Sequence, residues 1–203
     1  MSRMLTAVVF AIALTGLTGC GIHAGETSFH FSLGREADGA FEWSGQVGEG
    51  QWIEIKGING ALTAMPATGD SVQVTAVRSG FRSDPNEVEI VIVEHADGVT
   101  ICAVYPSSGS EPNECAPGDG GRNRTRNHDV KVEFDVYVPA GVRFAGRMGN
   151  AAIRAEDLTA DVRAQTVNGS VRLSTSQGAS AKTVNGSIRA SFGDTSWEGE
   201  AVF

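Results

Sequence analysis

Apolar and polar residues alternate with a period of two along several segments of this chain. Over 71–78, 87–94 and 130–138, one face of each segment consists of Val, Ile, Ala or Phe at every second position. Successive side chains of a strand point to opposite faces, so this alternation is typical of half-buried strands. After residue 19, no window shows the apolar stripe of an amphipathic helix. The pattern predicts an all-β chain.

Three more strands are predicted from shorter apolar runs and the turns beside them. One covers 51–56, and a second covers 61–64 after an Asn59-Gly60 turn. The dipeptide Asp97-Gly98 is typical of a hairpin turn and predicts a third strand over 99–105. Composition agrees with strands, because 19 Val and 9 Ile but only 4 Leu follow residue 19. The stiff β-branched side chains favour a pleated surface over a helix.

A seven-residue pattern recurs late in the chain. Thr166–Arg172 and Thr183–Arg189 agree at six of seven positions at an offset of 17 residues, and looser copies start at Gly149 and Ile58. Such spacing is typical of a β-solenoid, in which each coil stacks on the one before. The sequence therefore predicts a short single-stranded β-solenoid, or β-helix-like stack of strands, with Asn-Gly corners. The predicted corner residues are Asn59, Gly60, Asn150, Asn168, Gly169, Asn185 and Gly186.

Asparagine and glycine suit such corners for two reasons. Both tolerate left-handed backbone, glycine without steric cost. Identical Asn side chains on stacked coils can also bond to each other as a ladder. We expect two inward columns, Val167 on Val184 and Val171 on Ile188, with Arg172 and Arg189 stacked outside. The weaker alternative is a pair of unrelated hairpins that share a common turn.

The first residues are typical of an export signal. Arg3 precedes an apolar run, and Leu17-Thr18-Gly19-Cys20 matches the signal that directs lipid attachment to a cysteine. A plain secretory peptide cut near Ala24 is the alternative. We predict a signal peptide over 1–19, acylation of Cys20, a tether over 20–46 and one domain over 47–203. Because Gly rather than Asp follows Cys20, the outer membrane is the predicted location in a double-membraned bacterium, and otherwise the outer face of the plasma membrane.

Two further cysteines, Cys102 and Cys115, flank a segment rich in Ser, Pro and Gly. Export favours their oxidation to a disulfide, which would stabilise by roughly 3 kcal/mol in the chain-entropy model. A redox pair is the minor alternative, because the spacing is far from Cys-x-x-Cys. No paired His accompanies them, so no metal site is predicted. We expect a long irregular loop over about 106–127, stapled by this bridge.

The charge balance bears on partners and chemistry. The chain holds 24 acidic and 16 basic residues, a net charge of −8, which argues against nucleic acid as a partner. One local basic cluster stands out, and it favours a solvated loop over an anion site. The acidic residues near position 157 favour a solvated turn over a catalytic pair, and His128-Asp129 lacks the nucleophile motif of a hydrolase. We predict no enzyme activity and no cofactor. The basic cluster is Arg122, Arg124 and Arg126; the acidic residues are Glu156, Asp157 and Asp161.

Taken together, these motifs carry a family resemblance. The lipid-attachment signal, Ile-Lys-Gly-Ile-Asn-Gly at 55–60, Val-Pro-Ala-Gly at 138–141 and the repeated Thr-Val-Asn-Gly-Ser resemble a bacterial β-strand-repeat family whose members are provisionally named adhesins. The resemblance covers about residues 43–200. It implies a β-strand-repeat fold and no catalytic residues. Its functional implication is a fold-level analogy alone.

The expected function follows from the anchor and the repeats. We expect a non-enzymatic cell-envelope lipoprotein, a binding or adhesin-like module whose partners are the membrane, through its lipid, and an envelope protein or glycan. The alternative is a structural or envelope-stress partner that self-associates edge to edge through an open β strand. A polysaccharide-acting β-helix enzyme ranks last. Trp43, Trp52 and Trp197 are the candidates for glycan contact.

Overall fold

The computed structural model describes residues 35–193 and 200–203, and this part of the chain is all-β, as the alternation predicts. A single 3-10 turn, Pro85–Glu87, interrupts the strands of these residues. No helix in these ranges is long and apolar enough to cross a membrane. The predicted signal peptide, Cys20 and Trp197 lie outside the described residues. The strands are β1 Arg35–Glu36, β2 Phe41–Gly45, β3 Trp52–Pro66, β4 Val72–Gly80, β5 Glu89–His95, β6 Gly98–Val104, β7 Lys131–Val138, β8 Arg143–Leu158, β9 Val162–Asn168, β10 Val171–Thr175, β11 Ala179–Asn185, β12 Ile188–Phe192 and β13 Ala201–Val202.

Two long strands organise the sheet. β3 and β8 pair in parallel from Trp52 opposite Arg143 to Ala64 opposite Ala155. The first half of β3 also pairs in parallel with β6, and its second half with β7. In the same way β8 pairs in parallel with β9 and then with β10. The long strands therefore join two runs of strands in one open hydrogen-bonded sheet. The first run contains β6, the first halves of β3 and β8, and β9; the second contains β7, the second halves of β3 and β8, and β10.

The first run continues from β9 to β11 and β13, and the second from β10 to β12, all in parallel. At the other end the pairing becomes antiparallel: β5 borders β6, and β4 borders β7 and carries β1 and β2. The inward side chains of both runs form one apolar cluster. Strand alternation explains this core, since β7 is buried at every second residue. Fully buried members include Ile53, Ile55, Leu62, Phe134, Phe144, Ile153 and Leu173.

The four predicted corner asparagines form a hydrogen-bonded ladder. The carboxamide of Asn150 donates to Oδ1 of Asn59 at 2.9 Å, Asn168 donates to Asn150 at 2.6 Å, and Asn185 donates to Asn168 at 2.7 Å. The last two contacts join residues 18 and 17 positions apart, the offsets of the sequence repeat, whereas the first spans 91 residues. The side chains are exposed or half-buried, so the ladder lies at the surface.

The backbone at these corners differs from the expectation in two respects. Of the predicted corner residues, only Gly60 has a left-handed backbone, with φ 133°. Gly169 and Gly186 are required by crowding instead, because a Cβ would collide with the Ala151 carbonyl oxygen at Gly169 and with the Gly169 carbonyl oxygen at Gly186. The predicted turn at Asn59-Gly60 is also wrong, because β3 runs through it and pairs with β7 and β8 beyond it.

The predicted apolar columns are half correct. Val171 lies in register with Ile188 and Ile153 on the inward side, and Arg172 lies in register with Arg189, as expected. Val167 and Val184, in contrast, are 48% and 67% exposed.

The reason is strand phase: Val162, Ala164 and Thr166 of β9 point inward, so the next residue points out. The buried Thr166 hydroxyl donates to the Ala151 carbonyl at 2.9 Å and fills the corner in place of the valine.

The predicted tether over 20–46 is also corrected at its end. Arg35–Glu36 and Phe41–Gly45 pair antiparallel with β4, and Phe41 and Trp43 pack against the core. This segment is short and rich in Gly, Ser and Glu, so its own alternation is weak. It takes strand form because β4 offers an unpaired edge and the two aromatic side chains gain burial there.

The ladder leads to a graded prediction. Replacing Asn168 by Ala removes two ladder hydrogen bonds, whereas replacing Asn185 by Ala removes one. At about 1 kcal/mol for each bond, we expect losses in the free energy of unfolding of about 2 and 1 kcal/mol. Urea denaturation of both variants measures the difference. Equal losses would show that the ladder contributes nothing beyond the corner itself.

Candidate functional site

A long loop covers part of the outward face of the first run. Residues 106–127, called here the stapled loop, are irregular as predicted, apart from one bridge between Glu114 and Arg122. Cys102 of β6 and Cys115 of the loop form the predicted disulfide, with a Cα–Cα distance of 5.7 Å. The disulfide fixes the middle of the loop to β6.

Two asparagines fix the second half of the stapled loop. The side chain of Asn113 accepts a hydrogen bond from the Arg124 amide at 2.8 Å and donates to the Arg124 carbonyl at 2.9 Å. Asn123 accepts from the Tyr105 amide at 3.1 Å and donates to the Ala103 carbonyl at 2.6 Å. The segment that carries the basic cluster is therefore held in one conformation by its own side chains.

Lys56 anchors the tip of the loop from the sheet. Its Nζ donates to the carbonyls of Ala116, Gly118 and Gly120 at 2.7, 2.9 and 2.9 Å. Burial lowers the pKa of the Lys56 amine, and the neighbouring Glu54 carboxylate opposes that shift. With all three donors bonded, this cation serves the loop and is not available to a ligand.

Glu54 is the buried centre of the same docking network. It is 5% exposed, and its carboxylate accepts from the Gly118 amide at 2.8 Å, from the Thr100 hydroxyl at 3.1 Å and from Arg147 Nε at 2.7 Å. Arg147 also pairs with Asp119 of the loop at 2.6 Å. Buried charges persist when they are paired and hydrogen-bonded, as here. Alternation marks Glu54 and Lys56 only as outward positions, so the sequence analysis missed this network.

Between the stapled loop and the outward faces of β3, β8, β9 and β11 lies a groove of about 940 Å³, called here the basic groove. Six of its side chains are basic and one is acidic, in a chain whose net charge is −8. Its floor is aliphatic, and the exposed Val167 and Val184 lie on it. The charged side chains are Lys56, Glu111, Arg122, Arg124, Arg126, Arg147 and Lys182, and the aliphatic floor is Ile58, Met148, Val167 and Val184.

The six cations of the basic groove fall into two sets. Lys56, Arg147 and Arg122 are engaged, the last by an ion pair with Glu111. Arg124, Arg126 and Lys182 are exposed, and no ion pair joins them to another residue within the described ranges. The basic cluster that the sequence favours as a solvated loop thus lies opposite a lysine about sixty residues away. That proximity depends on the tertiary fold, and the sequence carries no local signal for it.

The other candidate residues have structural partners. Glu156 lies 3.7 and 3.8 Å from Arg154 and Arg172, and Asp161 lies 3.4 Å from Arg143. These carboxylates are therefore engaged by arginines of the strand surfaces. Within residues 35–193 and 200–203, no group of three His, Cys, Asp or Glu side chains is placed to hold a metal.

His128 and Asp129 face different partners. His128 Nε2 lies 3.3 Å from Glu87, whereas the Asp129 carboxylate accepts from the amides of Arg82 and Ser83 at 2.9 Å each. These hydrogen bonds, that of Ser83 first, lower the pKa of Asp129 to about 2. An acid that stays ionised while bound to two backbone amides is a poor partner for proton transfer.

A second cavity, of about 490 Å³, lies beside Glu54. Trp52 lines it, with the Arg163 guanidinium 4.3 Å and that of Arg143 5.7 Å from its ring centre. Cation–π contacts of this kind stabilise exposed tryptophan by about 0.5–1 kcal/mol. Trp52 is therefore engaged by protein side chains, and Trp43 packs on the core.

Comparison with known proteins gives little further information. No protein-family model matches the chain, and no curated protein matches it. A solved structure of a provisionally named cell adhesion protein from Clostridium sporogenes is similar, with a TM-score of 0.38 and 10% sequence identity. The similarity covers 81% of this chain and 97% of that one. It is too low to assign a family or an activity.

Proposed function

We propose that this chain is a non-enzymatic binding module of the bacterial cell envelope, and that its ligand site is the basic groove. The observation that supports this is the set of three unpaired cations, Arg124, Arg126 and Lys182, around an exposed aliphatic floor. Exposed aliphatic surface costs free energy in water, and a concave apolar surface with a few charged groups around it is typical of a ligand site. A polysaccharide-acting enzyme ranks last, because the candidate carboxylates are tied to structural partners.

The scaffold of this site is, in our proposal, a short β-solenoid. Its coils are β3, β8, the pair β9–β10 and the pair β11–β12. The parallel registers and the asparagine ladder support this reading, because both repeat at 17 to 18 residues from β8 onward, while β3 joins β8 across an offset of 91 residues. A solenoid presents flat outward faces of aligned side chains. The groove floor, Val167 beside Val184, is one such aligned column.

The anchor in this proposal is a lipid on Cys20. The support is the sequence Leu17-Thr18-Gly19-Cys20 behind a short apolar run. One acyl chain gives marginal membrane binding, and stable attachment needs more than one. The location we propose is the outer membrane where two membranes exist, and otherwise the outer face of the plasma membrane. Metabolic labelling with a clickable fatty acid tests it, with Cys20→Ser as the variant that should lose the label.

A second function is supported by the last strands. Among the described residues, β10 is the one strand that pairs with β12, so the other edge of Ile188–Ser191 has no strand partner there. An unpaired edge is a template for a strand of another chain. The chain would then act as a structural or envelope-stress partner through edge-to-edge self-association. Sedimentation of the Cys20→Ser chain decides this point, because a monomer at high concentration contradicts the alternative.

The binding function is tested with two matched variants. The groove variant is R124A/R126A/K182A, and the control variant is K131A/R172A/R189A, whose three cations are exposed and lie outside the groove. Each variant loses three positive charges, so the net charge is equal. Both are made in the full chain with Cys20→Ser and immobilised against envelope extract.

We expect the groove variant to retain at least about tenfold less of the captured envelope material than the control. Equal retention by the two variants would contradict the assignment of the site. If the parent chain captures no envelope material, the proposed binding function itself is contradicted.

A further inference from the structure

The ligand chemistry can be narrowed by the arrangement of the cations, and this step rests on the proposed function. Arg122, Arg124 and Arg126 are alternate residues of one segment, and all three line the groove. Lys182 comes from the opposite side, on β11. A single small anion is bound by charges that converge on one point, whereas a row of charges along a wall matches negative groups that repeat along a polymer.

This row is already in place before a ligand arrives. The backbone of Arg124 is held on both sides by Asn113, at 2.8 and 2.9 Å, and the disulfide holds the loop to β6. A preformed site loses less conformational entropy on binding than a mobile loop. The loop side of the groove, which carries Arg122, Arg124 and Arg126, can therefore bind an extended ligand whose individual contacts are weak.

The floor discriminates among polymers that carry repeated negative charge. No aromatic side chain lines the groove within the described residues. Single-stranded nucleic acid is held largely by stacking of its bases on such rings. An acidic peptide would pair with a free strand edge, whereas this floor is a sheet face whose backbone is already paired.

A sugar chain fits the remaining features. The CH faces of sugar rings pack on Val167 and Val184, and their negative groups reach the cations on both sides. A planar carboxylate accepts the two parallel N–H bonds of a guanidinium. We infer that the basic groove binds a linear polysaccharide with a carboxylate on its repeating sugar, with Arg124, Arg126 and Lys182 as the residues that hold the carboxylates.

The test uses four polymers of known charge: polygalacturonate, dextran, dextran sulfate and poly-dT. Binding of each to the full chain with Cys20→Ser is measured by biolayer interferometry at low and at moderate salt, with the groove and control variants in parallel. We expect polygalacturonate to bind, dextran not to bind, and salt to weaken the complex. The groove variant should lose at least about tenfold in affinity, while the control variant stays within about twofold of the parent.

Each other outcome overturns a defined part of the inference. Equal binding of dextran would exclude recognition of charge, equal binding of dextran sulfate would exclude a carboxylate preference, and tighter binding of poly-dT would indicate nucleic acid. Equal losses in both variants would exclude the groove. If polygalacturonate fails while the groove variant still loses envelope material, the carboxylate inference is wrong and the proposed function stands.

Discussion

Replacement of Glu54 by alanine is expected to lower the free energy of unfolding by about 3–5 kcal/mol. The carboxylate is the common acceptor for the Gly118 amide, the Thr100 hydroxyl and Arg147. Without it, the Arg147 side chain, only 24% exposed, keeps one carboxylate partner, and that partner lies on the loop. A largely buried charge that keeps only an exposed partner, together with a part-buried amide that has lost its acceptor, costs more than the original network contributed.

The measurement is urea unfolding of Glu54→Ala beside Glu94→Ala, whose carboxylate is exposed on β5. The control should change stability by less than about 0.5 kcal/mol. Glu54→Gln separates charge from shape, because an amide oxygen still accepts from Gly118 while the attraction to Arg147 is lost. We expect the loss of unfolding free energy in Glu54→Gln to lie between the losses in Glu54→Ala and Glu94→Ala. A loss no larger than that of Glu94→Ala would show that the network does not hold the loop.

Glu54→Ala is also expected to affect the basic groove, because the stapled loop that it releases forms one side of the groove. Arg124 and Arg126 belong to the wall that the Glu54 network and the disulfide hold in place. When the loop is released, these cations must be ordered again on binding, which costs affinity. We therefore expect Glu54→Ala to weaken polygalacturonate binding without any contact to the ligand, and hydrogen exchange at the Gly118 amide to rise in parallel.

Much of the fold was predictable because its signals are local. Alternation within β4, β5 and β7 requires only neighbours two residues apart, and the strands lie close to their predicted ranges. The asparagine contacts followed from a repeat that is visible in the letters alone. The sequence does not show which side chains point inward after the chain passes a corner. Val167 and Val184 precede the Asn-Gly pair, and nothing local shows that Thr166 fills the inward position.

The candidate site was predictable only in parts. The sequence shows the cysteine pair, the loop and the three arginines, but each is also explained by an ordinary solvated surface loop. Their role in a binding site depends on Lys182 and on Glu54, which are distant in sequence and lie on strands of the first run. An outward glutamate in an alternating strand is ordinarily solvated. Glu54 is buried because a loop more than fifty residues later folds over it, and no period in the sequence records that contact.

The corner glycines permit the second large prediction. We expect Gly169→Ala to lower the free energy of unfolding by about 2–4 kcal/mol, from overpacking and the loss of a backbone hydrogen bond. A Cβ at this position would collide with the carbonyl oxygen of Ala151 on β8. To relieve that collision, Gly169 must move away from β8. The Ile153 amide bond to the Ser170 carbonyl, 2.9 Å long, and the ladder bond from Asn168 to Asn150 would then lengthen.

Differential scanning calorimetry gives the readout, with a fall in Tm of roughly 5–15 °C expected for a domain of this size. Gly69→Ala is the matched control, because nothing lies within 4 Å of a Cβ built there and its backbone is not left-handed. Alanine at that position should leave Tm nearly unchanged. If Gly169→Ala has the same Tm as the parent, close approach to the Ala151 carbonyl does not explain the glycine. The repeated Asn-Gly would then reflect turn preference, which the φ values of the predicted corners support at Gly60 alone.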